Sequence, residues 1–429
     1  MIALHGIGSR QDLPLPFELV VAGAGVTLVI TFVLLLWAWD EPRFDREQGR
    51  PLPRLGALVD SRPWRWFWKA AAAALVGLAG IALIAGVDRI DNPVFGFVFV
   101  WVWVGLVPVS LVLGQVWRMT NPVRSLLRVA RVRPGRPAAS VYPAAIALAA
   151  FSFFELIQPD RATLHVLRVW VAAWIAWLLI GAIVRGMSWV GSADPFEVYA
   201  STIARLSLWG RTSKGVLMLT SPLRHLGTWR APAGLAAVCL VLLGGTAYDS
   251  FSNVLWWMAF VQDSAIPRPV LGTLGLVAMI ALVSGLYFAG VVLMRLPGRS
   301  LASTADLLAP GLVPIVAGYA LAHYGTLLWL EGQRTAIQFS DPLGRGWDLF
   351  GTAELGVNTA IIGWPTLIAV LQVVFIVGGH VCGVIVSHDI AIRYLPAEGG
   401  RFGRQFTGQI GLLAAMVCYT VGGLVLLFA

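Results

Sequence analysis

The chain has 429 residues, of which 58% are hydrophobic and 12% charged, with a formal net charge of +9 and a mean hydropathy of +0.78. Soluble domains carry about twice that share of charge, so the composition excludes a water-soluble globular protein and indicates one integral membrane domain over residues 1–429. The basic balance is not a nucleic-acid signal, because the arginines are spread over separate segments and form no binding-domain motif.

Taken in chain order, apolar runs predict ten spans near 18–39, 66–87, 94–117, 139–157, 163–185, 231–248, 270–294, 306–330, 361–386 and 407–428. A helix needs roughly 20 apolar residues to cross a bilayer. Backbone groups in lipid must be satisfied within the segment, so runs of this length mean helices; barrel strands are shorter and alternating. The expected fold class is therefore all-α, a polytopic transmembrane helix bundle. Pro310, Pro314 and Pro365 mark kinks or helix starts. Trp101 and Trp103 lie deep in the third span and are expected to pack helices together.

With the N-terminus outside, the alternate inside segments carry 23 Lys and Arg and the outside segments carry 6. The positive-inside rule then predicts both termini on the extracytoplasmic side of the plasma (inner) membrane, with the basic loops against anionic lipid. The opening MIALHGIGSRQDLPLP lacks a basic region followed by an apolar core and does not read as a signal peptide. Either the first span translocates this short tail, or the gene start lies upstream and cleavage near Ala3–Leu4 leaves His5 close to a mature N-terminus outside.

Two inside loops share a device. NPVRSLLRVAR (121–131) and DPFEVYASTIARLSLWGR (194–211) each offer an N-cap, Asn121 or Asp194, followed by proline at the first helical position. Phe196, Tyr199, Ile203 and Leu206 recur at helical spacing. Both segments read as short amphipathic helices lying in the cytoplasmic interface. Arg124, Arg128, Arg131, Arg205 and Arg211 would then face membrane lipids or a protein partner. Cys239, Cys382 and Cys418 fall in separate spans without a paired spacing and read as small buried apolar residues.

Ionisable residues at membrane depth are costly, and each marks a candidate site. His323, within GYALAHYGTLLWLEGQ (318–333), lies about 10 Å below the outer end of its helix, whereas His380 lies about 28 Å from the outer entry of its own. The two are not expected to share an ion. His380 and His388 are about 12 Å apart along one axis, and no other span offers a histidine at matching depth on the inner side, which argues against haem b. The outer set is richer. Tyr319, His323 and Thr326 share one helical face, Glu331 follows at the exit, Glu155 sits among phenylalanines near the outer end of the fourth span, and Asp249 ends the sixth. The loop 331–360 carries Asp341, Arg345 and Asp348 among glycines and is long enough to fold back as a lid. His323, Glu331 and Asp249, with His5, form an imidazole–carboxylate set suited to copper or zinc more than to magnesium or calcium. Glu155, Tyr319, Thr326, Asp341 and Asp348 would line a substrate or ion pathway. The plainer alternative is a hydrogen-bonded polar plug that holds no ligand.

HGIGSRQDLPLP, DPFEVY, GTAYDSF, LAHY with a following EGQ, SDPLGRGWDLFGT and GHV…HD together resemble an uncharacterised family of actinobacterial polytopic membrane proteins, sometimes labelled fenitrothion-hydrolase-like. The resemblance runs along most of the chain and implies an integral membrane protein. The hydrolase label has no counterpart in the residues: the chain carries no GxSxG elbow, no HExxH and no Walker loop. Three functional readings stand. The first is a permease or metal-ion-handling (copper) protein with an outward-facing His/carboxylate site. The second is a structural or assembly subunit of a larger membrane complex. The third is a membrane-embedded metal-dependent enzyme.

Overall fold

The computed structural model describes residues 9–39, 41–44, 48–136, 139–294, 296, 298–395 and 403–428. Its principal helices are α1 (Phe17–Ala38), α2 (Arg62–Ala85), α3 (Pro93–Val102), α4 (Leu106–Leu113), α5 (Pro122–Val129), α6 (Tyr142–Leu156), α7 (Leu164–Arg185), α8 (Pro195–Ile203), α9 (Leu235–Ser252), α10 (Arg268–Val292), α11 (Val313–Gln338), α12 (Pro365–Tyr394) and α13 (Arg404–Leu427). Among the described residues, eight helices are long and apolar enough to cross a membrane: α1, α2, α7, α9, α10, α11 with its lead-in from Leu301, α12 and α13. The protein is thus a multi-pass helical membrane protein.

The two other predicted spans take different forms. The third is the pair α3–α4, bent by 49°. The bend has a local cause: Phe97–Val102 is wound as a π-helix, with Trp103 N donating to Val98 O and Gly105 N to Val100 O. The backbone ladder therefore slips by one residue where the axis turns. The fourth, α6, has 15 residues, short of the roughly 20 that a full crossing needs.

Contacts between loops constrain the parity. A three-stranded antiparallel sheet, which the sequence did not signal, joins β1 (Gly49–Pro51), β2 (Trp209–Arg211) and β3 (Leu217–Thr220) in the order β1-β3-β2. Gly49 pairs with Thr220 and Trp209 with Leu219. The segments around residues 50 and 210 therefore lie on one side, as expected. With α2 and α7 crossing between them, α3–α4 and α6 either both cross or both do not. Arg10 Nε donates to Phe428 O at 2.9 Å, which holds the two ends of the described chain together.

Lipid tails are as apolar as leucine, so helices in a bilayer associate through close packing. Glycine provides it between α11 and α12. A Cβ on Gly318 would lie 2.3 Å from Phe375 O, and one on Gly379 would lie 2.6 Å from Pro314 O. The two backbones touch, and α11 runs through the middle of the bundle: 89% of its apolar stretch is buried, against 11% for the peripheral α2.

The loop helices depart from expectation. Their caps form as predicted: Asn121 Oδ1 accepts from Val123 N and Arg124 N, and Asp194 Oδ1 accepts from Phe196 N. However, α8 does not lie along an interface. It is buried at every position but Ser201, with the Phe196 ring 5.2 Å from Phe151 and Tyr199 5.4 Å from Trp103. An apolar stripe at helical spacing fits protein as well as lipid. Charge pairing makes the burial of α8 tolerable, since Glu197 accepts from both Arg124 Nε and Nη2, at 2.5 and 2.6 Å. Arg124 is therefore buried and is not offered to lipid or partner. Arg211 is held by Asp60, both contacts at 2.8 Å, and the Arg205 guanidinium lies over Trp229 at 4.8 Å. Arg128 and Arg131 are exposed, in keeping with a surface role. Trp103 is buried, and Trp101 Nε1 donates to Gly332 O, so both tryptophans tie helices together as expected.

Candidate functional site

The end of α9 and the middle of α11 bring together Asp249, Ser250, Tyr319, His323 and Tyr324, all buried. Asp249 Oδ2 meets His323 Nε2 at 3.0 Å and accepts from Tyr324 OH at 2.8 Å. On the other edge of the imidazole, Nδ1 lies 3.3 Å from Ser250 Oγ, which lies 3.0 Å from Tyr319 OH. The five groups form one hydrogen-bonded chain across two helices. With a neutral imidazole that donates from Nε2 to the carboxylate, Nδ1 accepts from Ser250, and Ser250 accepts from Tyr319. With an imidazolium, Nδ1 also donates, and the Ser250 hydroxyl rotates to accept from it and to donate to Tyr319. The serine rotor lets the chain run in either direction without moving a heavy atom.

A small cavity abuts this chain. Its volume is about 10 Å³, and Trp103, Tyr199, Thr246, Tyr319 and Tyr324 line it. That is room for about one water. Glu155, half-buried at the end of α6, lies within electrostatic reach of Asp249, Tyr199 and Tyr324.

No family model, curated protein or solved structure matches the chain. Function has to be read from the chemistry of the site itself.

The structure unites part of the predicted set. His323, Asp249 and Tyr319 join directly, and Glu155 stands beside them. Thr326 is buried on the same helix, but its Oγ1 finds no partner among the described residues. Glu331 does not join them; it lies two turns along α11 and pairs with Arg334 at 3.0 Å. His5 lies outside the described residues. Asp341 and Asp348 hold the 339–364 loop in shape. The first accepts from Arg345 N and Gly346 N, the second from Thr352 N and Ala353 N. Desolvation pushes the Asp341 carboxyl up, but its several backbone hydrogen bonds together outweigh this and hold it below the usual range; backbone donation, chiefly from Ala353, lowers Asp348 likewise. Both carboxylates are committed to turns, which removes them from a pathway. Among the described residues, no three His, Cys, Asp or Glu side chains converge to hold a metal. Asp249 and His323 instead spend their facing atoms on each other.

Sequence reading missed Ser250 and Tyr324. Each is the chain neighbour of a residue it did single out. Tyr324 escaped because one step along a helix rotates a side chain by about 100°, off the Tyr319–His323–Thr326 face. On the C-terminal half of α12, His380 Nδ1 pairs with Ile376 O at 2.8 Å in its own helix. His388 Nδ1 meets Gln409 Oε1 at 2.9 Å. Asp389 gathers Arg43 N at 2.6 Å and Arg393 Nη2 at 3.0 Å.

Proposed function

We propose that the chain is a ten-span plasma-membrane permease, with both termini extracytoplasmic, driven by protons that the Asp249–His323 relay carries. The observation that carries this reading is the continuous Tyr319–Ser250–His323–Asp249–Tyr324 chain buried between two helices long and apolar enough to span a membrane. A carboxylate and an imidazole are costly there and are kept where they move or hold charge. Such a chain passes a proton by exchanging hydrogen-bond direction, with Asp249 and His323 as the proton-holding groups and the hydroxyls of Ser250 and Tyr319 as connectors. Glu155, at the expected outer end of α6, is the natural point of proton entry. Ten crossings satisfy the parity set by the sheet, and they agree with the distribution of basic residues.

The test is uptake into proteoliposomes under an imposed pH gradient, run over a panel of amino acids, small organic ions, Cu(II) and Zn(II). The reading expects gradient-driven accumulation of at least one member, abolished in a folded Asp249→Asn variant. Accumulation that ignores the gradient, or that Asp249→Asn leaves intact, would sink it. A second reading, that the relay only knits α9 to α11 in a subunit of a larger complex, is favoured by one observation: the adjoining cavity holds no more than about one water. That reading expects no uptake from the whole panel and stoichiometric protein partners on gentle purification.

A further inference from the structure

A second cavity lies where the loop after α5 packs against the end of α7. Its volume is about 630 Å³, and its lining includes Arg133, Arg136, Arg185, Ser140, Ser188 and Ser192, with no acidic residue among the described ones. Arg133, Arg136 and Arg185 have no carboxylate partner among the described residues, in contrast to Arg89, Arg124, Arg211, Arg334 and Arg393. Arg133 donates to Val184 O at 2.6 Å, and Arg185 stacks over Trp189 at 5.0 Å. Arg136 makes no hydrogen bond to a described residue. The wall is rigid. Met187 N donates to Arg133 O and Ser188 N to Pro134 O. Gly135 and Gly186 have φ of +77° and +89°, and a Cβ on Gly186 would meet Gly135 Cα at 2.5 Å.

We infer that this cavity binds the phosphate-bearing headgroup of an anionic phospholipid. Three guanidiniums with no carboxylate leave a concentrated positive charge that a phosphodiester neutralises, and guanidinium forks match phosphate oxygens in pairs. Serine hydroxyls supply further donors. The lipid, rather than a soluble phosphate, is indicated by the helix directly beneath: α7 exposes Ile180, Ile183 and Val184, each more than 60% accessible, in the turns that lead up to Arg185. Acyl chains would lie along that face while the headgroup sits among the arginines. Basic pockets between membrane helices on the side of the basic loops are built for such headgroups.

The test uses the full chain, purified and delipidated, with native mass spectrometry in the presence of phosphatidylglycerol, phosphatidylcholine or glycerol 3-phosphate. Each arginine near a headgroup is worth about fivefold in binding. Phosphatidylglycerol should therefore be retained over phosphatidylcholine, and Arg136→Ala should lower that preference by about fivefold. Arg136→Lys should restore most of it. Arg345→Ala, an exposed arginine outside the cavity, should leave it unchanged. Because the Arg136 side chain bonds no described residue, its loss is separable from misfolding, and an unchanged melting temperature checks this. Equal retention of the two lipids, or equal effects of Arg136→Ala and Arg345→Ala, would overturn the inference. Glycerol 3-phosphate binding as tightly as the lipid would overturn the lipid as the source.

Discussion

Arg124→Leu is predicted to be among the most damaging single changes outside the spanning helices. The Arg124 and Glu197 side chains are 8% and 2% exposed, so removing the guanidinium strands a carboxylate in the protein interior. Glu197 would keep only Asn121 Nδ2, at 3.3 Å. Asp194 makes matters worse, because its own carboxylate is buried close by and shares the same Asn121. Breaking a buried pair in this way costs about 3–5 kcal/mol. At about 1–2 °C per kcal/mol for a chain this long, the melting temperature should fall by about 5 °C. Intrinsic tryptophan fluorescence during heating of the detergent-solubilised protein reads this directly. Arg124→Leu combined with Glu197→Leu removes both charges, and replacing a whole buried pair by apolar groups is close to neutral. The double variant should therefore melt near the unchanged protein. A single variant within about 1 °C of the unchanged protein, or a double variant no better than the single, would refute the pairing as what keeps the Glu197 charge tolerable inside the fold.

Other consequences follow from the same geometry. Burial pushes the Asp194 carboxyl up to about 7, against a hydrogen bond from Trp117 that lowers it, with Glu197 adding to the rise. The folded state then holds a proton that the unfolded state has lost, so stability should fall as pH rises from about 4 to 7; Asp194→Asn, which keeps the cap, should flatten that slope in pH-dependent melting curves, and an unaltered slope would count against it. Asp60→Asn should change the melting temperature by less than about 1 °C, because the Asp60–Arg211 pair is half-exposed on both sides and such pairs contribute at most about 1 kcal/mol. Gly318→Ala should prevent recovery of monodisperse protein, since its methyl group would sit 2.3 Å from a backbone oxygen of α12; normal size-exclusion behaviour of that variant would mean that the α11–α12 contact is looser than described.

The spans were legible because bilayer thickness imposes their length and composition, whatever the partners. Eight of the ten predicted runs map onto helices long and apolar enough to span, 94–117 maps onto the bent pair, and 139–157 maps onto the shorter α6. The bend itself was not legible, since a π-helical slip leaves the apolar run of Phe97–Val102 unchanged in character. Local caps at Asn121 and Asp194 were readable, because their partners lie two or three residues on. The fate of the arginines was not: Arg124 meets Glu197 across 73 residues, and no local pattern encodes that pairing. For the same reason the three short strands went unseen. His323 and His380, which depth arithmetic set apart, have separate partners in Asp249 and Ile376, yet a one-face view of α11 overlooked Tyr324. Asp341 and Asp348 read as pathway residues because glycine-rich turns bearing aspartate suit either role; the backbone donors that occupy them appear only in three dimensions.

The most direct test of the proton relay is infrared difference spectroscopy of the reconstituted protein as pH is stepped, in H₂O and in D₂O. A relay that exchanges protons predicts a carboxyl C=O band that appears with pH, shifts in D₂O, vanishes in Asp249→Asn and moves in His323→Asn. A protein whose pH-difference spectrum is unchanged by Asp249→Asn would contradict the account, and the buried chain between α9 and α11 would then be a structural tie alone.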